Sequence, residues 1–185
     1  MGNLTIDQIR KRFETSTEFN EIFDAFELAI GQRLEDLELY RLLFWNPTLI
    51  PDELCLFGEK LTKEFPGLSF ETYMWLARVF EATHSVDDNY ELALKYYRKA
   101  AKTKPEELNP YLKAAGCYEA DLNIPPLISL IEFLKLGVGT VRDPAPLYEQ
   151  LAHLYELAGN DEMSSFYRRK FKEGSAGPAV KAPEE

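Results

Sequence analysis

One short pattern occurs three times in this chain: an aromatic residue, a pair of Leu or Ala three and four positions on, and a second aromatic at the seventh. It reads Tyr73…Leu76-Ala77…Phe80, then Tyr111…Ala114-Ala115…Tyr118, then Tyr148…Leu151-Ala152…Tyr155, and the first tyrosines are 38 and 37 residues apart. Offsets of three, four and seven fall on one face of an α-helix. Each copy is followed by a second helical stripe: Ala93…Tyr97…Ala100, Leu127…Ile131…Leu134 and Ser164…Arg168…Phe171. A single helix pair cannot bury its own apolar stripe, so units that recur in register must stack on their neighbours. The small residues Ala77, Ala115 and Ala152 let helices approach closely, and the aromatic one turn away fills the wedge between pairs. A generic helical bundle requires no such register.

These residues resemble the tetratricopeptide repeat, a helix–turn–helix unit of about 34 residues with the pattern W-x2-L-G-x2-Y…A-x3-F…P. The first copy follows it furthest, running through Asn89-Tyr90-Glu91-Leu92-Ala93 to Pro105. The second has Gly139 in place of that proline, and the third has Arg168 where the family carries an aromatic. The long intervals imply insertions around His84–Asp88 and Arg142–Pro146. The resemblance covers residues 70–172 and extends weakly into 1–66. There Leu37–Trp45 with Pro51–Phe65 reads as a degenerate repeat whose Leu54, Gly58 and Leu61 take second-helix positions, and Ile6–Phe13 with Phe19–Leu34 as a further pair or a cap. It implies an all-α fold, a right-handed α-α superhelix (a tetratricopeptide-like solenoid) of about ten antiparallel helices.

Pro and Gly punctuation places those helices near Ile6–Phe13, Glu18–Gln32, Leu37–Trp45, Pro51–Phe65, Phe70–Ala82, Asn89–Thr103, Pro110–Ala120, Pro125–Leu136, Pro146–Ala158 and Glu162–Lys172. Pro51, Pro125 and Pro146 suit a first helical turn, where a missing N–H bonds nothing. Asn160 or Asp161 suits the cap of the last helix, and Gly67, Gly137, Gly159 and Gly174 suit helix ends. The organisation expected is N-terminal helices over 1–66, repeats over 67–173, and a tail over 174–185 whose Ser-Ala-Gly-Pro composition cannot build an apolar face.

Charge limits the partners. With 31 acidic against 21 basic residues the net charge is -10, which repels nucleic-acid phosphates and anionic lipid. A basic protein segment is the natural complement. No apolar run reaches the length of a membrane span, and the first residues, Met1-Gly2-Asn3-Leu4-Thr5-Ile6, open no signal-peptide core. Two cysteines far apart, Cys55 and Cys117, give no disulfide framework, so a cytoplasmic protein is expected. No enzyme is expected either. The only histidines, His84 and His153, sit in no zinc motif, and no phosphate-binding glycine loop or nucleophile elbow occurs. No metal or other cofactor is expected.

The resemblance implies a concave groove lined by the first helix of each pair. Positions not used for packing there are Met74, Arg78 and Glu81 in the first copy, Leu112, Gly116 and Glu119 in the second, and Glu149, His153 and Glu156 in the third. Arg41 and Trp45 take the same offsets in the degenerate copy, while Trp75 lies beside the packing stripe and reads as structural. Such a surface suits an extended or helical peptide, its carboxylates pairing with Lys or Arg and Trp45, Met74 and Leu112 serving as apolar anchors. Relatives that clamp the terminal carboxylate of heat-shock chaperones use Lys, Arg and Asn; here the matching face offers Met74, Arg78, Lys113, Gly116 and Gln150, so that clamp is not assembled. The function expected is a protein–protein interaction scaffold or adaptor. The alternatives are a secretion-type tetratricopeptide chaperone and a self-assembling structural spacer, the latter because Met163, Phe166, Tyr167 and Phe171 leave the last helix rich in apolar surface for a homodimer through a solenoid end.

Overall fold

A computed structural model describes residues 4–83, 89–121 and 123–175. The expected insertion at His84–Asp88, His84 itself and the tail beyond Ser175 lie outside the described residues. The chain divides into two compact units, Met1–Thr103 and Lys104–Glu185. Among the described residues every regular element is helical, apart from an isolated antiparallel bridge between Glu119 and Ile124.

The first unit holds α1 (Ile6–Thr15), α2 (Phe19–Gly31), α3 (Leu37–Phe44), α4 (Pro51–Glu64), α5 (Ser69–Ala82) and α6 (Asn89–Thr103). Each start has a local cause. Thr5 and Gln8 form a capping box on α1, and the Asp36 carboxylate accepts the Glu38 N–H at 3.0 Å to open α3. Pro51 takes the first position of α4, and Glu53 reaches back to the Ile50 N–H at 3.0 Å. Arg33, with φ of 56°, turns the chain out of α2 while its guanidinium lies 4.7 Å over the Phe65 ring.

Helix α1 packs on α3 and α3 on α5, while α2 packs on α4 and α4 on α5. First helices therefore stack on first helices, as a repeat requires. The wedge between pairs is aromatic: Phe26 meets Phe57 edge-on at 4.9 Å, and Tyr40 lies about a ring's width from Phe13, Phe26 and Phe65. Ring pairs of this kind add about 0.5–1.5 kcal/mol each beyond the area they bury. Burial pushes the Tyr40 hydroxyl well above its usual pKa, and that hydroxyl has no hydrogen-bond partner among the described residues. Asn46 joins the first two pairs. Its side-chain amide donates to the carbonyls of Phe13 (2.9 Å) and Ser16 (3.0 Å), and its oxygen accepts from Thr48. At Gly58 an added Cβ would run into the tip of Leu76, which shows how closely α4 and α5 approach.

The second unit holds α7 (Asn109–Ala115), α8 (Leu127–Val138), α9 (Ala145–Leu157) and α10 (Asp161–Ser175). Helix α7 packs on α8 and α9, and α9 on α8 and α10. Three expectations are corrected here. Helix α7 stops at Ala115 rather than Ala120, because the chain turns at Gly116 and Glu119 pairs its backbone with Ile124. Pro125 opens no helix; Pro126 is the cap and α8 begins at Leu127. Gly137 and Gly174 lie inside α8 and α10 rather than beyond their ends. Gly137 is there for space: a Cβ would sit 2.8 Å from atoms of Tyr111 and Leu147, so α8 can meet α7 and α9 only without one. Gly159, with φ of 70°, does end α9, and Asn160 caps α10 by accepting the Met163 N–H at 3.0 Å. Neither cysteine forms a disulfide; Cys117 is buried and Cys55 half-buried.

Candidate functional site

Of the residues named for stacking, the small and aliphatic ones are buried, while the tyrosines Tyr73, Tyr118, Tyr148 and Tyr155 are half-buried. Leu76, Ala77 and Phe80 in α5, Tyr111 and Ala114 in α7, and Leu151 and Ala152 in α9 are all enclosed. The interleaved positions on the same helices stay open, and the two units fill them with different chemistry.

In the first unit the open face of α3 and α5 is built around Trp75, which is half-buried. The Arg78 guanidinium carbon lies 4.6 Å from the centre of one of its rings, and that of Arg41, from α3, lies 4.9 Å away. Each contact is a cation–π pair worth about 0.5–1 kcal/mol at an exposed site. Arg41 also pairs with Glu38, one turn before it, at 2.7 Å. Trp45 ends α3 with 43% of its surface exposed, and Met74 is half-buried beside Trp75 in sequence. Glu81 turns toward α6 instead, where its carboxylate accepts the Tyr97 hydroxyl at 2.7 Å.

In the second unit Glu149, His153 and Glu156 follow one another along α9 at helical spacing, all exposed. With Gln150, Arg168 and Phe171 they line a shallow cleft of ≈ 430 Å³ between α9 and α10. Arg168 pairs with Glu156 at 2.5 Å, so that carboxylate is already partly neutralised. Leu112 is half-buried on α7, whereas Glu119 lies beyond the end of α7 on the short bridge, off the helical face assigned to it. The aromatic absent at Arg168 is supplied one position earlier: Tyr167 is buried, stacks on Tyr155 at 5.6 Å and meets Tyr148 at a tilt, 6.1 Å away. The Lys135 ammonium of α8 lies 5.6 Å from the centre of the Tyr155 ring, and the neighbouring phenol raises the lysine's pKa.

Trp75 is half-buried beside the packing stripe, as expected; what the sequence did not reveal is that Arg41 and Arg78 both lie over it. Arg41 and Trp75 stand one repeat length apart, and α3 packs on α5. Reading across neighbouring copies rather than along one would have brought them together. Among the described residues no three His, Cys, Asp or Glu side chains converge as metal ligands, and no helix is long and apolar enough to cross a membrane.

No protein-family model and no curated protein sequence matches the chain. Solved structures do. A crystal structure of MamA protein aligns over 97% of this chain and 95% of its own length, with a TM-score of 0.56 at 16% identity. A second MamA structure, designated AMB-1, aligns over 92% of this chain and 99% of its own, with a TM-score of 0.50 at 16% identity. The likeness shows the fold, an all-α helical solenoid of tetratricopeptide-like pairs.

Proposed function

We propose that this chain is a protein-interaction scaffold that holds segments of a partner on the open faces of its first helices. One observation carries the reading. On α3 and α5 the side chains of Tyr40, Leu43, Leu76, Ala77 and Phe80 are enclosed, while Arg41, Trp45, Met74, Trp75 and Arg78 remain half-buried or exposed. Trp, Met and Arg are the side chains that most often anchor interfaces, and here they occupy positions the fold does not need. The acidic face of α9 extends the reading. Glu149, His153 and Glu156, with Leu112 and Glu119 elsewhere in the same unit, suit a segment that brings Lys or Arg to the carboxylates and an apolar residue to Leu112. The reading requires no cofactor.

The test is recovery of the native protein from its own cells at low and high salt, followed by the same recovery with Glu149→Lys and with Trp45→Ala. The expected result is a stoichiometric partner that is held at low salt and weakened by both variants. A partner retained equally by both would sink the reading.

A second reading, a self-assembling spacer, is favoured by Phe166 of α10 (39% exposed) and Leu157 of α9 (45% exposed), large apolar side chains that the second unit leaves open. It predicts a concentration-dependent dimer that Phe166→Asp converts to monomer in sedimentation. A chain that is monomeric throughout excludes it.

A further inference from the structure

Two guanidinium groups lie over the Trp75 ring system, one from α3 at 4.9 Å and one from α5 at 4.6 Å, so Trp75 gathers two positive charges. Like charges gathered in this way repel. The negative face of the indole offsets that repulsion only in part, and an anion between them would relieve it. A guanidinium carries five N–H groups in one plane, so an arginine held over a ring keeps N–H donors that match a carboxylate. Arg78 is exposed and makes no ion pair among the described residues. Arg41 has the Glu38 carboxylate, but both side chains of that pair are well exposed, at 41% and 63%, and an exposed pair is worth only about 0–1 kcal/mol, so an incoming carboxylate can replace it. Trp45 and Met74 lie on the same two helices and add apolar surface.

We propose that Arg41, Trp75 and Arg78 are the seat of an acidic segment of a partner protein, in which Asp or Glu side chains bond the two guanidinium forks and apolar residues between them rest on Trp45 and Met74. The proposal rests on the scaffold reading and deepens it, giving the first unit a charge preference opposite to that of α9. A protein segment is favoured over nucleic acid by charge. A chain of net charge -10 repels a long polyanion, whereas a few carboxylates interspersed with apolar residues meet the clasp without that penalty.

The experiment titrates the full-length chain into a fluorescently labelled short peptide that alternates Glu with Leu, read by anisotropy, beside the matching Gln–Leu peptide and a phosphoserine–Leu peptide. The expected result is saturable binding of the Glu peptide, weakened by salt, with the Gln peptide bound far less tightly. Arg78→Gln and Arg41→Gln should each weaken binding about ten-fold. Arg78→Lys, which keeps the charge and loses the fork, should fall between wild type and Arg78→Gln, and circular dichroism checks that each variant folds. Equal binding of the Gln peptide, or indifference to Arg78→Gln, overturns the proposal. Much tighter binding of the phosphoserine peptide overturns it in favour of a phosphate site. If the Glu peptide fails while Trp45→Ala still releases the native partner, the acidic-segment proposal falls and the scaffold reading stands. If every variant retains that partner, both fall.

Discussion

The two units build the same helix pairing from different side chains. In the first, the enclosed bulk is aromatic: Phe13, Phe26, Tyr40, Phe57 and Phe80 are 0% exposed. In the second it is largely aliphatic, with Leu130, Leu134, Leu147 and Leu151 at 0%, beside the buried rings of Tyr111, Phe133 and Tyr167. The difference reaches the surface. Cations lie over rings in both units, Lys135 over Tyr155 and Lys170 over Phe166 in the second. Among the described residues the first gathers more: Arg33 over Phe65, Lys60 over Phe23, Lys99 over Tyr73 and Tyr96, and Arg41 and Arg78 over Trp75. Lys60 and Lys99 are tied further to Glu27 and Glu59. Much of the positive charge of the first unit is thereby fixed against rings, and a count of basic residues does not reveal what those residues are arranged to do.

The contrast can be broken by mutation, starting with the largest effect. Phe57→Ala removes a ring that meets Phe19, Phe23 and Phe26 and should cost about 3–5 kcal/mol in denaturant unfolding. Leu151→Ala should cost less; an equal or larger loss would mean that the aromatic wedge carries no special weight. Asn46→Ala should cost about 1–3 kcal/mol, because two carbonyls lose their donor in a nearly closed site. In the second unit the turn residue Asp143 accepts one N–H, that of Ala145, and Asp143→Ala should cost about 1 kcal/mol or less. Should thermal melts rank these two the other way, Asn46 is not the tie described above.

Gly137→Ala sets a helix-propensity gain of about 1 kcal/mol against overpacking that costs about 1–3 kcal/mol, for a net loss of about 1 kcal/mol. Gly58→Ala should lose less, since it meets only the tip of Leu76, which can swing aside; Gly137 faces the rigid Tyr111 ring. A Gly137→Ala protein more stable than wild type would show that α8 has room to move. The smallest effect is expected at Tyr40→Phe, which removes a buried hydroxyl without a partner and should raise stability by up to about 1 kcal/mol. A clear loss of stability there would show that the hydroxyl is satisfied in solution.

Much of the fold was legible because its punctuation is chemical. Pro51 opens α4, Asn160 caps α10, and α6 spans Asn89–Thr103 as its periodicity predicts, since each boundary depends on residues within a turn of itself. The sequence failed where distant residues decide. Gly116 and the Glu119–Ile124 bridge end α7 early, and Gly137 resembles a helix terminator until Tyr111 and Leu147 are seen against it. Arg168 marks a missing aromatic only until Tyr167 is found stacked on Tyr155. The candidate residues follow the same rule. Met74, Arg78, Glu149, His153 and Glu156 could be placed by offset within one helix, but the sharing of Trp75 between Arg41 and Arg78 crosses from one pair to the next. Glu81, read as open, is drawn to Tyr97 by the partner helix of its own pair.

Asn46 has a mechanical consequence. In a stacked array loaded from its amino end, pairs are expected to peel off singly, each interface giving way before the next bears the load. Asn46 stands just past the end of α3 yet grips the last turn of α1 and the residue that follows it. Force drawn through α1 therefore passes directly into the second pair, and the first two pairs should detach as one block, with a single rupture where two would otherwise be recorded.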